Sequence, residues 1–176
     1  MAETCRRGDW RTIRSSPRDD ESGSCVVVAD GSSEVRYSIR GESGAGYAVS
    51  RTERSEAERP VMRAADALDS ERYLTVAFAS EFRQNAQLPP LLMPGGAHEY
   101  APGFSGERGD GCVWLHGGHT SPVAFVERDP YRPNLAVKFS RYGDASLDEI
   151  VASAASPTGS PLFDVQETDW GRWPGW

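Results

Sequence analysis

CVVVADGSSEVRYSIRGESGAGYAVSRT, residues 25–52, decides the fold. Residues 25–30 are a β-branched run that stops at Asp30-Gly31. Residues 34–40 then alternate Val35, Tyr37 and Ile39 with polar neighbours, the period of a half-buried strand. A glycine-rich turn over 41–46 leads into GYAVSRT, a third strand, so the segment reads as a three-stranded antiparallel meander.

Downstream, residues 55–84 carry two competing periods: Ala, Glu and Arg content favours helix, while YLTVAF also alternates like a strand. Helix is the better reading from about Ser70, with Leu74, Ala77, Phe78 and Phe82 on one face. Pro60 has to lie at or before its start, because inside a helix it removes a backbone donor. Residues 86–111, dense in Pro and Gly, read as a linker or a long ordered loop.

Beyond that boundary the first pattern returns. Both GSCVVVADG and GDGCVWLHGGH set a cysteine after a glycine-led turn and before three apolar residues and a second turn. SPVAFVER and LAVKFSR (135–141) supply two further strands, and a helix follows at about 147–155, with Ser146 and Glu149 at capping-box spacing. The expected class is α+β, antiparallel meanders each followed by a helix, with an internal duplication anchored on Cys25 and Cys112. The expected units are 1–85, a linker 86–111, a second unit 112–156 and a Trp-rich tail 157–176.

The formal net charge of −7 over 176 residues argues against a nucleic-acid surface, which needs clustered Lys and Arg to displace counterions. Lys138 is the only lysine, and the arginines are interleaved with acids, a pattern that suits protein contacts. Three cysteines without metal-ligand spacing, a charged start at MAETCRRGDW and no apolar run of about 20 residues point to a reduced, cytoplasmic chain, neither secreted nor membrane-spanning.

With Trp10, Ser15, Ser16, Gly23, Cys25, Val26, Val28 and Ala29 in its opening, the chain resembles the small acidic proteins of filamentous actinobacteria typified by BldB and the WhiJ-associated proteins. Cys112 and Val113 repeat that opening, and Val123, Ala124, Arg128, Asp129, Pro133, Leu135 and Phe139 resemble the later part. The resemblance implies a non-enzymatic accessory protein. Its implied partner is a helix-turn-helix transcriptional regulator of development or antibiotic production, or the other member of a toxin-antitoxin-like pair.

No catalytic, cofactor or metal residue is assigned. Cys112 with His116 and His119 is the most reactive-looking cluster, and an enzyme built on it stays open, but a cysteine in an apolar strand is first of all a small core residue. A metal on His116 and His119 would need a third ligand from His98, Glu99 or Asp110. The tail offers Trp170, Arg172, Trp173 and Trp176 as partner-binding residues, since Trp and Arg dominate interface energetics. A precursor whose Trp-rich end is modified is the remaining reading.

Overall fold

The computed structural model describes residues 12–13, 25–29, 35–42, 46–93, 99–109, 111–118, 121–126 and 135–166, the first two segments as backbone only. The first meander comprises β1 (Thr12–Ile13), β2 (Cys25–Ala29), β3 (Val35–Glu42), β4 (Gly46–Glu53) and β5 (Arg59–Ala64), and α1 (Ala67–Asn85) follows it. After the short β6 (Leu91–Leu92), a second meander runs through β7 (Phe104–Gly109), β8 (Cys112–Gly117) and β9 (Val123–Val126). Two helices, α2 (Leu135–Ser140) and α3 (Leu147–Ala155), and the short β10 (Asp164–Val165) complete the order. The expected α+β architecture of meanders each followed by a helix is therefore present.

The two meanders share one antiparallel sheet, ordered β1-β2-β3-β4-β5-β9-β8-β7. Their junction is the pairing of Met62, Arg63 and Ala64 with Phe125, Ala124 and Val123. Residues 86–111, expected as linker or loop, contribute β6 and the edge strand β7. The start of the tail docks: Phe163 is buried and β10 pairs with β6.

Three local readings change. RPVMRA forms β5, where Val49 opposes Met62 but Ser50 opposes Pro60, so Val61 is the extra residue of a β-bulge. Both Val61 and Met62 are buried as a result, which hides the alternation of the strand. Pro60 is tolerated there because the β9 pairing begins only at Met62.

LAVKFSR, expected as a strand, instead holds the helix α2 over its first six residues. Ala136, Val137, Phe139 and Ser140 are the residues it buries, an i, i+3, i+4 face rather than alternate positions. The α1 helix begins before Ser70, at the N-cap Asp66, whose side chain accepts from the Leu68 amide at 3.0 Å. Its buried face is Asp69, Ser70, Tyr73, Leu74, Val76, Ala79 and Arg83, leaving Phe78 and Phe82 at the rim. The α3 helix agrees with expectation, with Ser146 and Glu149 exchanging both capping-box bonds.

The helices lie over one face of the sheet, held by a continuous chain of rings. Tyr37 meets Tyr73 at 6.2 Å, Tyr73 meets Phe125 at 6.3 Å, and Phe125 meets Phe139 at 5.3 Å. Phe139 then meets Tyr142 at 5.1 Å and Tyr142 meets Phe163 at 6.0 Å. Such tilted and edge-to-face pairs contribute about 1 kcal/mol each beyond their burial. Where α1 ends, the buried Arg83 donates to the carbonyls of Pro89 at 2.5 Å, Ala154 at 2.8 Å and Ser156 at 2.7 Å, so one cation satisfies the last turn of α3.

Replacing Arg83 by Met keeps the stem but strands those carbonyls; the expected loss is about 3 kcal/mol, read as a lower denaturant midpoint with an unchanged slope. An unaltered midpoint would contradict the role given to the guanidinium.

Burial raises the pKa values of Tyr37, Tyr73 and Tyr142 above the ordinary 10.0, Arg51 partly offsetting the effect at Tyr37. Above pH 10.0 the unfolded chain therefore loses these protons before the folded one does, and stability falls as pH rises. Alkaline titration should show tyrosinate absorbance from these three rings appearing together with the loss of circular dichroism; ionisation of all three in a still-folded protein would contradict it.

Candidate functional site

With the helices on one face, the opposite face of the sheet carries no helix among the described residues. Strand pairing places its side chains in rows. Arg40 stands opposite Ala48, Ala48 opposite Arg63, and Arg63 opposite Ala124. Ala124 stands opposite Trp114, and Trp114 opposite Glu107. One row across six strands thus alternates large and small from Arg40 through Ala48, Arg63 and Ala124 to Trp114, and ends on Glu107. Adjacent strands are about 4.8 Å apart, so Arg63 stands about 10 Å from Arg40 on one side and from Trp114 on the other, and Ala124 between Arg63 and Trp114 is covered, at 3% exposure.

Trp114 reaches this face because Val113 and Leu115, its neighbours on β8, are fully buried on the other. It is 42% exposed, one of three large apolar side chains that are exposed among the described residues. Cys112 and His116 share its face. Glu107 lies 3.9 Å from the His116 Nε2, an ion pair only when the imidazole is protonated.

Toward β3 the face is balanced in charge. The Arg40 Nη2 holds Glu58 at 2.8 Å, and Ser38 hydrogen-bonds the same carboxylate. Burial acts to raise the Glu58 pKa, but the bonds from Arg40 and Ser38 outweigh it and the net shift is downward. Arg63 is held less firmly: only its Nε approaches Glu42, at 3.6 Å, and its side chain is 65% exposed.

On the helical side, carboxylates gather at the helix starts. Asp66 caps α1, Asp148 and Glu149 occupy the first turn of α3, and Asp66 and Asp144 both act on Asp69. Carboxylates favour helix starts because the free amides and the dipole there are positive. A second apolar surface, a groove of about 340 Å³, runs between α1 and α3 past Phe78, Phe82 and the 54%-exposed Val151.

The sequence-derived candidates distribute unevenly. Cys112 is half-buried and faces outward rather than into the core, because alternation puts Val113 inside. Cys112 and His116 are four positions apart, about 13 Å along the strand, so these two do not form a thiol–imidazole couple. Among the described residues no group of three or more His, Cys, Asp or Glu is arranged to hold a metal. No helix among them is long and apolar enough to cross a membrane. His98, Asp110, His119, Trp170, Arg172, Trp173 and Trp176 lie outside the described residues. Neither Trp114 nor Arg63 stands out in the sequence; the period of CVWLHG could have turned Trp114 outward, whereas Arg63 needed the register of β5.

A family model described as immunity protein 61 matches residues 4–162, most of the chain and all of the row. This replaces the resemblance to BldB and the WhiJ-associated proteins, which rested on short strand motifs that any cysteine-led meander can share. Among solved structures, Rv3902c from M. tuberculosis is similar, at 25% identity over 82% of this chain and 82% of that one, with a TM-score of 0.68. No curated protein matches significantly.

The outward position of Cys112 has a direct readout: iodoacetamide should label it in the native protein, as peptide mapping would show. Protection until unfolding would return the thiol to the core.

Proposed function

The chain belongs to the immunity protein 61 family, and we propose that it works as an immunity protein, silencing a protein toxin by binding it in a stoichiometric complex. The observation that carries this reading is the family match over 4–162. The sheet face that carries no helix among the described residues supports it, since an exposed Trp among several Arg has the composition of an interface centre. A protein partner and a toxin-antitoxin-like pair, both expected from the sequence, are retained. A helix-turn-helix regulator as partner depended on the resemblance to the developmental proteins, and the family match gives it no support.

Immunity by binding needs no turnover, only residence longer than the toxin's opportunity to act, and that is set mainly by the dissociation rate. Trp and Arg are suited to slow release. Each brings a large contact area with few or fork-like polar groups, and packing in a desolvated centre holds the complex together.

Co-expression is the decisive experiment. Cells producing a toxin domain drawn from the genes that neighbour this one should die, should survive when this chain is made with it, and should yield the two proteins as one co-eluting complex of fixed stoichiometry. Survival with no complex, or death despite abundant folded chain, would exclude neutralisation by binding.

A further inference from the structure

Given the toxin-binding reading, on which this step rests, the geometry points to the groove between α1 and α3 as the place where the toxin is gripped. Its occupant is a toxin segment that lays apolar side chains against Phe78, Phe82 and Val151 and brings a Lys or Arg to Glu71 and Asp148.

The groove follows from how the two helices pack. The Arg72 Nε donates to the Ala145 carbonyl at 2.8 Å, just ahead of α3, and the Arg83 Nη1 donates to the Ala154 carbonyl at 2.8 Å, near the end of α3. The helices therefore run side by side in the same direction. Thr75, Phe78 and Phe82 form one stripe of α1, and Val151 and Ala155 one stripe of α3. Together with Ala79 and Ala154 they bound an apolar groove of about 340 Å³, at the lower end of pockets that take a ligand. From Thr75 to Phe82 it spans about 10 Å, roughly two helical turns.

The outer face of α3 calls for a cover. Inward the helix buries Ile150, Ser153 and Ala154. Beyond its first turn the residues it exposes are Val151, Ala152 and Ala155, none of them polar, with Val151 at 54%. A surface helix ordinarily turns charged or polar side chains outward, so an apolar outer face bordering an apolar groove marks a surface that another molecule covers. The sheet face offers contact area around Trp114 but no seat, because Ala124 beside the indole is covered.

Charge selects the occupant. Continuing each stripe one step towards the helix start leads to Glu71 on α1 and Asp148 on α3, both exposed and neither in an ion pair among the described residues. Because the helices are parallel, the two carboxylates stand at the same end of the groove. At the other end the Arg83 guanidinium is taken up by the carbonyls of Pro89, Ala154 and Ser156. A segment with apolar residues along the groove and a cation at the end marked by Glu71 and Asp148 meets complementary charge, whereas a carboxylate there is repelled.

Titration calorimetry of the purified chain with the catalytically inactivated toxin domain that co-expression identifies tests the assignment. Val151→Asp, shown folded by an unchanged denaturant midpoint, should raise the Kd by about 30-fold or more, because it sets a charge against apolar side chains. Glu71→Gln combined with Asp148→Asn should raise it about tenfold at low salt and weaken its dependence on salt. An unchanged salt dependence in that doubly neutralised chain would overturn the basic chemistry of the occupant. Wild-type affinity in Val151→Asp, with Trp114→Ala raising the Kd instead, would move the contact to the sheet face and overturn the groove while leaving toxin binding intact. A homodimer dissolved by Val151→Asp with toxin affinity unchanged would give the groove to a second copy. A loss of stability on ending the chain at Gln166, reproduced by Val151→Asp with toxin affinity unchanged, would give it to residues 167–176, and either result overturns the assignment. Absence of any complex with the wild-type chain would instead refute the toxin-binding reading itself.

Discussion

The rings that run from Tyr37 through Tyr73, Phe125, Phe139 and Tyr142 to Phe163 are the contact on which the remaining structure depends. They begin on a strand of the first meander, cross α1, descend to a strand of the second, and pass through α2 to the segment that precedes β10. No local element could hold these pieces together, because the two meanders share only three residue pairs at the β5–β9 junction. Concentrating the aromatic packing on one face also decides what the opposite face can be. With every helix drawn to the rings, the other side keeps short, polar or alanine side chains between a few long ones. It keeps its shape because the packed face behind it fixes the strands.

Much of this was legible in the sequence where local periods were clean. The alternation of Val35, Tyr37 and Ile39 declared the inward face of β3, and Ser146 with Glu149 declared the start of α3. Legibility failed where two periods overlapped or one was interrupted. In β5 the bulge at Val61 buries two consecutive residues, so the strand lost its alternation, and Pro60 said only that a helix could not begin before it. In LAVKFS six residues are too few to separate alternate burial from a helical face, and only tertiary packing on Phe125 selected the helix. The candidate site was less visible still. Each member of the row sits on a different strand, so its proximity exists only in the register, which depends on turns and on the bulge.

The separation of charge between the two sides matters for how such a protein meets its target. Carboxylates gathered at the starts of α1 and α3 do structural service, offsetting free amides and the helix dipole. The sheet face, with its paired Arg and Glu residues, is nearly balanced by comparison. Long-range attraction from the net charge of −7 would set how often a basic partner arrives, while short-range fit would set how long it stays.

Because Arg63 and Trp114 belong to different meanders, they share one face only through the pairing of β5 with β9. A nascent chain that has emerged only through α1 can present Arg63, yet it has no indole beside it. Proteolytic fragments and frameshifted products share that defect. The row from Arg40 to Glu107 is thereby a property of the finished sheet and of no shorter piece of it.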